Sequence, residues 1–344
     1  MPYPSISRLT QLFEECAPSA IFFLIDEKVK RYHENYLSQI VSEIPVYEFI
    51  VTASEQNKNI DTATQIWQYM LAHNLDRNAL LINLGGGITC DLGGFVASNY
   101  KRGIRFINIP TTLLAMIDAA IGGKNGVNLN HIKNSVGSFY FPKEIIYDTA
   151  FLQTLPQQEW KSGFGELLKY ALLANVTMWE EIKSLDTICP DAVKDDWIHS
   201  AVHYKQSIVN EDPFEDNQRR LLNFGHTIGH ALEALQLYRN CPISHGHAVA
   251  IGLIVESYIA YLKGFVAKTV YHEIRDLILR FFPLPTLHKS DSEVMSAFIL
   301  NDKKTHEKGV YIPLLKGIGQ VDSCVQIAEN IWEEALLFTI FAAL

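Results

Sequence analysis

The first half of the sequence alternates short apolar runs with segments of helical periodicity. Runs of four to six mostly apolar residues, each the length of a short strand, stand at 20–25, 46–51, 79–84, 104–109 and 144–147. Between the second and third runs, apolar residues from Ala63 to Leu71 recur about every 3.6 residues, the period of a helix. Alternation of this kind predicts an α/β domain with a mostly parallel, Rossmann-like sheet covered by helices.

The second half of the sequence has a different pattern. Long segments of helical periodicity stand at 165–174, 191–210, 221–237 and 247–262, and only 310–315 resembles a strand. A chain of 344 residues also exceeds the usual size of one hydrophobic core. We therefore predict two domains, an α/β domain at 1–150 and an all-helical domain at 151–344.

Composition excludes several classes of protein. The chain is 48% hydrophobic and 19% charged, as in ordinary soluble proteins. Its apolar stretches are shorter than the ~20 residues that span a bilayer, and its first residues show no signal peptide. A net charge of -9 argues against a nucleic-acid partner, and five cysteines without a CxxC pair fit a reducing compartment. We expect a cytoplasmic protein with no membrane or nucleic-acid partner.

Three histidines in the second half stand at the spacing of metal ligands. His226 and His230 are four residues apart, so a helix would place them on one face, and His245 could join them from the next segment. A catalytic zinc site usually has three protein ligands and one open position. The alternative is a pair of ordinary helix histidines, which is the better interpretation of an isolated HxxxH pattern.

Glycines at 85–87 follow a predicted strand and precede a predicted helix. Glycine at such a turn lets backbone amides approach a pyrophosphate closely, which favours a nucleotide site. The sequence is not the GxGxxG fingerprint, so a tight turn without a ligand is the alternative. A second glycine-rich turn at 121–126 carries Lys124, which on its own would be an ordinary solvated lysine.

The order of several short motifs is more specific than any one of them. Along the chain they are Lys101-Arg102-Gly103, Gly122-Gly123-Lys124, Lys133-Asn134, Gly165 to Lys169, Arg219 to His230, His245-Gly246 and Asp302-Lys303-Lys304. Together they resemble the 3-dehydroquinate synthase family, within the wider group of sugar phosphate cyclases, from Asp26 to the segment after Lys304. The resemblance implies an active site in the cleft between the two domains.

The resemblance also implies the residues of the site. One zinc or cobalt ion is held in the family by residues that match Glu166, His226 and His245. NAD is contacted by residues that match Asp26, Glu55, Lys58, Gly86, Gly87, Asp91, Thr111, Thr112 and Asp118. The substrate is contacted by residues that match Lys124, Lys133, Asn134, Lys169, Lys205, Arg219, Asn223, His230 and a lysine of the 303–304 pair, of which we take Lys303. Arg102 matches an arginine that reaches the substrate phosphate across a homodimer interface.

The implied activity belongs to the shikimate pathway of aromatic amino acid biosynthesis. It converts 3-deoxy-D-arabino-heptulosonate 7-phosphate, a small phosphorylated keto acid, to 3-dehydroquinate and phosphate. The steps are transient oxidation by NAD, phosphate elimination, reduction and intramolecular aldol closure, so the enzyme would be an NAD- and metal-dependent carbon-oxygen lyase. Lysines and arginines suit this substrate because they balance its carboxylate and phosphate charges.

Four positions depart from the family pattern. Asn125 replaces a threonine, His247 a glutamate, Ser54 a glycine and Pro213 an acidic residue. None of them removes a predicted metal ligand or substrate cation, but a site that differs in a few polar groups can prefer another substrate.

Three alternatives to this function therefore stay open. The first is another cyclase, acting on sedoheptulose 7-phosphate or glucose 6-phosphate. The second is an iron-type alcohol or glycerol dehydrogenase, which resembles the family in its α/β plus helical architecture and paired histidines. The third is a nucleotide-binding protein that has lost turnover.

Overall fold

A computed structural model describes residues 3–40, 42–130, 132–288, 290–302 and 310–341. The chain forms two compact units, Met1–Pro156 and Gln157–Leu344. The sequence pattern placed the boundary near residue 150, a few residues earlier. The difference is a short turn, Thr149–Thr154, which follows Asp148. That residue is anchored in the first unit because its Oδ2 accepts a 2.6 Å hydrogen bond from the Ser5 hydroxyl.

A five-stranded parallel sheet forms the centre of the first unit. The strands of this unit are β1 (Ile21–Asp26), β2 (Val46–Val51), β3 (Leu80–Gly85), β4 (Arg105–Pro110), β5 (Lys124–Leu129), β6 (Ile132–Phe139) and β7 (Glu144–Ile145). Five of them pair in the order β2-β1-β3-β4-β7, and every neighbouring pair is parallel. The predicted parallel sheet is confirmed, although its last strand is shorter than the apolar run suggested.

Helices cover both faces of this sheet. They are α1 (Pro4–Cys16), α2 (Glu27–Tyr32), α3 (Glu34–Ser38), α4 (Ile60–Ala72) and α5 (Gly87–Asn99). Phe22 of β1 belongs to a core with Ile66 of α4 and Val96 of α5, whereas its neighbour Phe23 belongs to a second core with Leu12 of α1. Because successive side chains of β1 are buried on opposite faces, the strand is apolar throughout rather than alternating.

Strands β5 and β6 form a separate antiparallel hairpin that packs against α5. The sequence pattern did not predict it, because β6 is largely exposed and its polar residues show no apolar period. Gly94 of α5 permits the close contact, since a methyl group there would overlap with the side chain of Asn125. The Asn125 amide donates hydrogen bonds to the carbonyl oxygens of Gly123 (2.9 Å) and Tyr140 (2.8 Å) and so ties the two ends of the hairpin together.

The second unit is mainly helical. Its helices are α6 (Gln157–Ala174), α7 (Val176–Lys183), α8 (Asp195–Glu211), α9 (His226–Tyr238), α10 (His245–Leu262), α11 (Lys268–Phe281), α12 (Asp291–Asp302) and α13 (Glu329–Leu336). Most of α10 is buried, and α6, α9, α11 and α13 pack around it. Within the described ranges, none of the helices has the length and apolar character that crossing a membrane requires.

The prediction of an all-helical second domain needs one correction. Strands β8 (Val310–Gly317) and β9 (Gln320–Ile327) form an antiparallel pair in this unit. The pattern at 310–315 indicated the first of these strands, but not the second. A register shift near Pro313–Leu315 interrupts the pairing, and the apolar residues of β9 therefore do not alternate regularly.

Glycines allow three helices of the second unit to approach each other at backbone distance. A methyl group on Gly165 of α6 would overlap with the carbonyl group of Gly246 at the start of α10, and one on Gly246 would overlap with the Ser162 carbonyl of α6. Gly225, just before α9, has φ of +81°, a left-handed conformation that favours glycine. These contacts fix where α9 and α10 begin relative to α6.

We expect Gly165→Ala to force α6 and α10 apart and to reduce the free energy of unfolding by about 1–3 kcal/mol, the usual cost of overpacking. Thermal unfolding of the purified variant measures the loss. Gly317→Ala is the matched control, because nothing lies within 4 Å of a methyl group built at Gly317. A melting temperature as high in Gly165→Ala as in the control would contradict this account of the packing.

Candidate functional site

Glu166 lies in the middle of α6 with no exposed surface, although its local sequence alone suggests an ordinary surface carboxylate. Its Oε2 atom is 2.5 Å from Nζ of Lys169, which is three residues further along and 1% exposed. The Lys169 ammonium also lies 4.7 Å from the centre of the Tyr170 ring. Burying a carboxylate is costly unless positive groups surround it, so this pair indicates a site rather than a surface contact.

Two imidazoles face the other oxygen of Glu166. Its Oε1 atom is 3.3 Å from Nε2 of His226 and 3.3 Å from Nε2 of His245. His226 is the first residue of α9 and His245 is the first residue of α10. His230, one turn after His226, has a ring nitrogen within 4.8 Å of nitrogens of both other histidines. The structure therefore brings the three predicted metal ligands together with His230; we call these four residues and Lys169 the Glu166 cluster.

The second ring nitrogen of both predicted histidine ligands has a partner outside the cluster. His226 Nδ1 lies 3.1 Å from the carbonyl oxygen of Phe224, and His245 Nδ1 lies 3.2 Å from Oε2 of Glu233. A carbonyl oxygen only accepts, so Nδ1 of His226 carries the proton and Nε2 directs a lone pair toward Glu166. Outer partners of this kind orient metal-binding histidines. Glu233 was not predicted, although its spacing of seven residues from His226 places both on one face of α9.

The geometry of the Glu166 cluster fits a tetrahedral divalent ion. Two ligand atoms at about 2.0–2.1 Å from a tetrahedral zinc ion are about 3.3–3.4 Å apart. Glu166 Oε1 stands 3.3 Å from each imidazole nitrogen, and it has no hydrogen-bond partner of good geometry among the described residues. A cation between the carboxylate and the two lone pairs would satisfy all three atoms.

Charge distribution in the cluster also suits a cation. Burial lowers the pKa of His226 to about 4. Burial acts in the same direction on His245, but the nearby carboxylates of Glu166 and Glu233 outweigh it and raise the pKa of His245 to about 10. Burial opposes ionisation of Glu166 as well, yet Lys169 and His226 hold its pKa well below the usual range. The carboxylates thus favour one extra positive charge at this point, which a bound metal ion would supply instead of a proton.

A second buried carboxylate fixes the start of α9. Glu256 of α10 is fully buried and accepts hydrogen bonds from the backbone nitrogens of Gly225 (2.7 Å) and Ile228 (3.4 Å). These nitrogens flank His226, so Glu256 holds the backbone that carries a predicted ligand. The sequence analysis missed Glu256. The available signal was a single carboxylate within the apolar segment 248–260.

The remaining predicted substrate residues of the second unit lie on α8 and the segment after it. Lys205 is buried on α8, which packs against α6. Arg219 is buried, and the side-chain amide of Asn223 donates a 2.7 Å hydrogen bond to Glu215. Asp212 shapes this segment by accepting hydrogen bonds from three backbone nitrogens between 216 and 219, including that of Arg219. Lys303 lies outside the described residues.

Several predicted cofactor residues lie at the carboxyl edge of the parallel sheet. Strand β3 ends at Gly85, and Gly86 is the N-cap residue of α5, where a glycine leaves the first helical amides accessible to an anion. A methyl group on Gly86 would lie 3.0 Å from Thr112, which follows β4. Asp26 ends β1 and caps α2 by accepting a 2.8 Å hydrogen bond from the nitrogen of Lys28.

Three more of the cofactor residues implied by the resemblance follow β3 or β4 in the sequence. Gly87 begins α5, Thr111 donates a 2.9 Å backbone hydrogen bond to the Gly85 carbonyl, and Asp118 lies in a short π-helical turn, Ala115–Ala119. Ligands of open parallel sheets bind at the carboxyl ends of the strands. The turn at 85–87 therefore has the position of a nucleotide site.

A network of hydrogen bonds and ion pairs joins predicted cofactor residues to predicted substrate residues. Lys58 is 4% exposed, and its ammonium lies 2.5 Å from Asp91 Oδ2 and 2.5 Å from Asn134 Oδ1. Lys133 pairs with Glu55 at 3.5 Å. The structure therefore brings these five residues together in the first unit.

Two further predicted cations lie at exposed positions of the first unit. Lys124 is exposed at the start of β5, and Arg102 is exposed just before β4. Helix α5 runs from the carboxyl edge of the sheet to its amino edge, so Arg102 and Gly86 are at opposite edges. The predicted action of Arg102 in a neighbouring subunit stays a prediction.

The departures from the family pattern have structural partners. Asn125 ties the hairpin ends as described above. His247 Nε2 lies 2.8 Å from the carbonyl oxygen of Pro283, and the Ser54 hydroxyl accepts a 3.2 Å hydrogen bond from the nitrogen of Asn57. The carbonyl oxygen of Pro213 accepts a 2.5 Å hydrogen bond from Arg219, a contact that depends on the backbone rather than on the side chain of residue 213.

The chain is similar to known proteins in sequence and in fold. The chain is similar to 3-dehydroquinate synthase from Parabacteroides distasonis, with 36% identity over 96% of this chain and 93% of the relative. Among solved structures it is similar to 2-epi-5-epi-valiolone synthase from Streptomyces hygroscopicus, determined with NAD+ and Zn2+ bound, with 27% identity, a TM-score of 0.84 and coverage of 95% and 92%. An iron-containing alcohol dehydrogenase from Corynebacterium glutamicum shares the fold, with 14% identity, a TM-score of 0.64 and coverage of 98% and 93%.

Family-specific sequence patterns cover most of the chain. Residues 48–162 match the pattern described as 3-dehydroquinate synthase N-terminal, and residues 163–305 match the one described as 3-dehydroquinate synthase C-terminal. The division between these patterns falls close to the division between the two compact units. With a Glu166 cluster suited to a divalent ion and a glycine turn suited to a nucleotide, the chain belongs to the 3-dehydroquinate synthase family.

Proposed function

We propose that the chain is an enzyme that converts 3-deoxy-D-arabino-heptulosonate 7-phosphate to 3-dehydroquinate and inorganic phosphate. The observation that carries this proposal is the buried Glu166 carboxylate, which faces two imidazoles and an ammonium group. The name of the Parabacteroides relative supports the same reaction. The reaction class is a carbon-oxygen lyase, since phosphate leaves by elimination.

Both cofactors have residues that suit them. Glu166, His226 and His245 would hold zinc or cobalt, and the amides at the start of α5 would hold the pyrophosphate of NAD. The solved valiolone synthase contains NAD+ and Zn2+, which supports this pair of cofactors. When bound, NAD accepts and returns a hydride while the divalent ion polarises the oxygens of the carbinol that is oxidised.

The side chains around the cofactors bind and orient the substrate. Lys169 and Lys205, both buried on neighbouring helices, would hold polar groups of the keto acid. In this proposal Arg219 and Asn223 contact the substrate from the segment after α8. His230 is exposed beside the buried His226 and the half-buried His245, a position that suits hydrogen bonding to substrate and proton transfer. Ammonium groups beside the leaving phosphate stabilise the charge that develops on it.

The anionic ends of the substrate are assigned to the first unit. Lys133 of the hairpin and Lys303, which lies outside the described residues, are proposed as further substrate contacts, and Lys124 and Asn134 of the hairpin would bind the anionic ends. Arg102 would do so from a second subunit, which makes the proposed enzyme a homodimer. We also propose that it works in the cytoplasm, as its cysteine content and its soluble substrate suggest.

A different sugar phosphate or a dehydrogenase reaction is less well supported. Asn125 and His247, the departures that raised the question of another substrate, are used for contacts within the protein. The likeness to the alcohol dehydrogenase extends to the fold alone.

We expect His226→Ala and Glu166→Gln to lose the bound divalent ion and to reduce phosphate release by more than about 100-fold, because each removes a ligand from a three-ligand site. Elemental analysis and a phosphate-release assay measure the two effects. His199→Ala, which removes an exposed histidine on α8, serves as the matched control. Full activity in His226→Ala would eliminate that residue as a ligand.

We expect phosphate release from the heptulosonate phosphate to exceed release from sedoheptulose 7-phosphate and glucose 6-phosphate by about 100-fold or more, since polar groups discriminate strongly between substrates. Absorbance at the NADH band should show no lasting increase, because the hydride returns to the substrate. A chelator should abolish release, and added zinc or cobalt should restore it. Stoichiometric NADH would indicate a dehydrogenase, and faster release from another sugar phosphate would indicate a different cyclase.

We expect Glu233→Gln to weaken metal binding by about 10–100-fold, the usual effect of removing a carboxylate that orients a ligand histidine. Competition with a chromophoric chelator measures the dissociation constant without reference to turnover. Glu159→Gln, an exposed carboxylate on α6, is the control for the loss of one charge. Equal metal affinity in the two variants would show that Glu233 does not orient His245.

A further inference from the structure

Asn128 stands at the centre of the network in the first unit, although neither the motifs nor the resemblance assigns it a role. Its backbone nitrogen donates a 2.7 Å hydrogen bond to the carbonyl oxygen of Lys58. Its side-chain amide donates 2.9 Å hydrogen bonds to both the carbonyl oxygen and Oε2 of Glu55. Its Oδ1 atom accepts a 2.9 Å hydrogen bond from the backbone nitrogen of Asn134. The donors and the acceptor of the Asn128 side chain are thus all used.

These bonds close a ring between the turn at 54–58 and the hairpin. Asn128 binds the backbone of Lys58 and of Asn134, and the Lys58 ammonium in turn binds the Asn134 side chain and Asp91. Asn134 has φ of +51°, a left-handed conformation that non-glycine residues rarely adopt. Its backbone is held in that conformation by the bond to Asn128 Oδ1, which orients the Asn134 side chain toward Lys58.

We propose that Asn128 is a positioning residue that sets the cofactor residues Glu55 and Lys58 and the substrate residue Asn134 in register with each other. This inference rests on the proposed function, because it assumes that these residues contact NAD and substrate. The two arms of the Asn128 side chain have separate effects. The Nδ2 group, which we call the amide arm, orients Glu55 and therefore affects binding of the cofactor. The Oδ1 atom, which we call the oxygen arm, orients Asn134 and therefore affects binding of the substrate.

Two substitutions separate these arms. Asn128→Ala removes both, so we expect KM for the heptulosonate phosphate and the dissociation constant of NAD each to rise about tenfold, as the loss of a hydrogen bond to a functional group suggests. Asn128→Asp keeps an oxygen for the Asn134 nitrogen but directs a carboxylate at Glu55. We expect it to keep KM within about threefold of the unmodified enzyme and to raise the dissociation constant of NAD by tenfold or more.

A double variant tests the contact with Glu55 directly. A carboxylate at position 128 would still face the backbone carbonyl oxygen of residue 55, but in a Glu55→Gln background the new side-chain amide can donate to it. The additional Asn128→Asp change should therefore raise the dissociation constant of NAD by less than it does in the unmodified enzyme. Ser135→Ala is the matched control in the same hairpin, because the Ser135 hydroxyl donates to the carbonyl oxygen of Ile132 within the hairpin itself. Its KM and NAD affinity should be unchanged.

The measurements are NAD calorimetry, phosphate-release kinetics, metal content and melting temperature for each variant of the full chain. The proposal requires unchanged metal content and a split between KM and NAD affinity in Asn128→Asp. Equal losses in Asn128→Ala and Asn128→Asp, accompanied by a lower melting temperature, would overturn it, since a purely structural residue gives that result. An unmodified chain that binds NAD but releases no phosphate would refute the proposed function alone, because the NAD data on the variants would still test the Glu55 arm.

Discussion

The second unit depends on one electrostatic constraint, a carboxylate in a dry interior. Glu166 is fully buried, and at low dielectric an isolated negative charge there would be strongly unfavourable. Lys169 and two imidazoles compensate for it, but only because α6, α9 and α10 approach each other closely. Glycines at the helix contacts provide that approach, and Glu256 holds the start of α9. The packing of the helices and the charge of the site are therefore parts of one arrangement.

The first unit meets a different requirement, because the nucleotide proposed to bind there is an anion that needs hydrogen-bond donors. Glycines after β3 expose helical amides at the carboxyl edge of the sheet. Lys58, a deeply buried cation of the proposed site, is paired with Asp91 and Asn134. Val127 packs the hairpin against the apolar core of this unit, and amide groups of Asn125 and Asn128 add directional bonds that fix its position.

The sequence predicts those features that depend on local pattern. Strands buried on both faces are apolar throughout, and the parallel sheet could be predicted for that reason. The spacing of His226 and His230 showed that they share a helix face. It could not show what covers that face, and neither the burial of Glu166 nor the contact of Glu233 with His245 follows from spacing alone. The hairpin strand β6 was missed because its side chains are mostly polar and exposed. Glu256 was missed because its partners, Gly225 and Ile228, are 31 and 28 residues away along the chain.

Shared architecture with a dehydrogenase shows why the reaction has to be inferred from the site. Two chains with 14% identity keep the same order of sheet and helices, since that order is set by burial and by connections between elements. The reaction depends instead on a few buried polar groups of a kind that protein interiors usually exclude. In this chain those groups include a carboxylate, imidazoles and ammonium groups. Lys169, Lys205 and Arg219 are all buried. Lys169 is paired with Glu166, and in the proposed function these cations would also balance the carboxylate and phosphate groups of a phosphorylated keto acid.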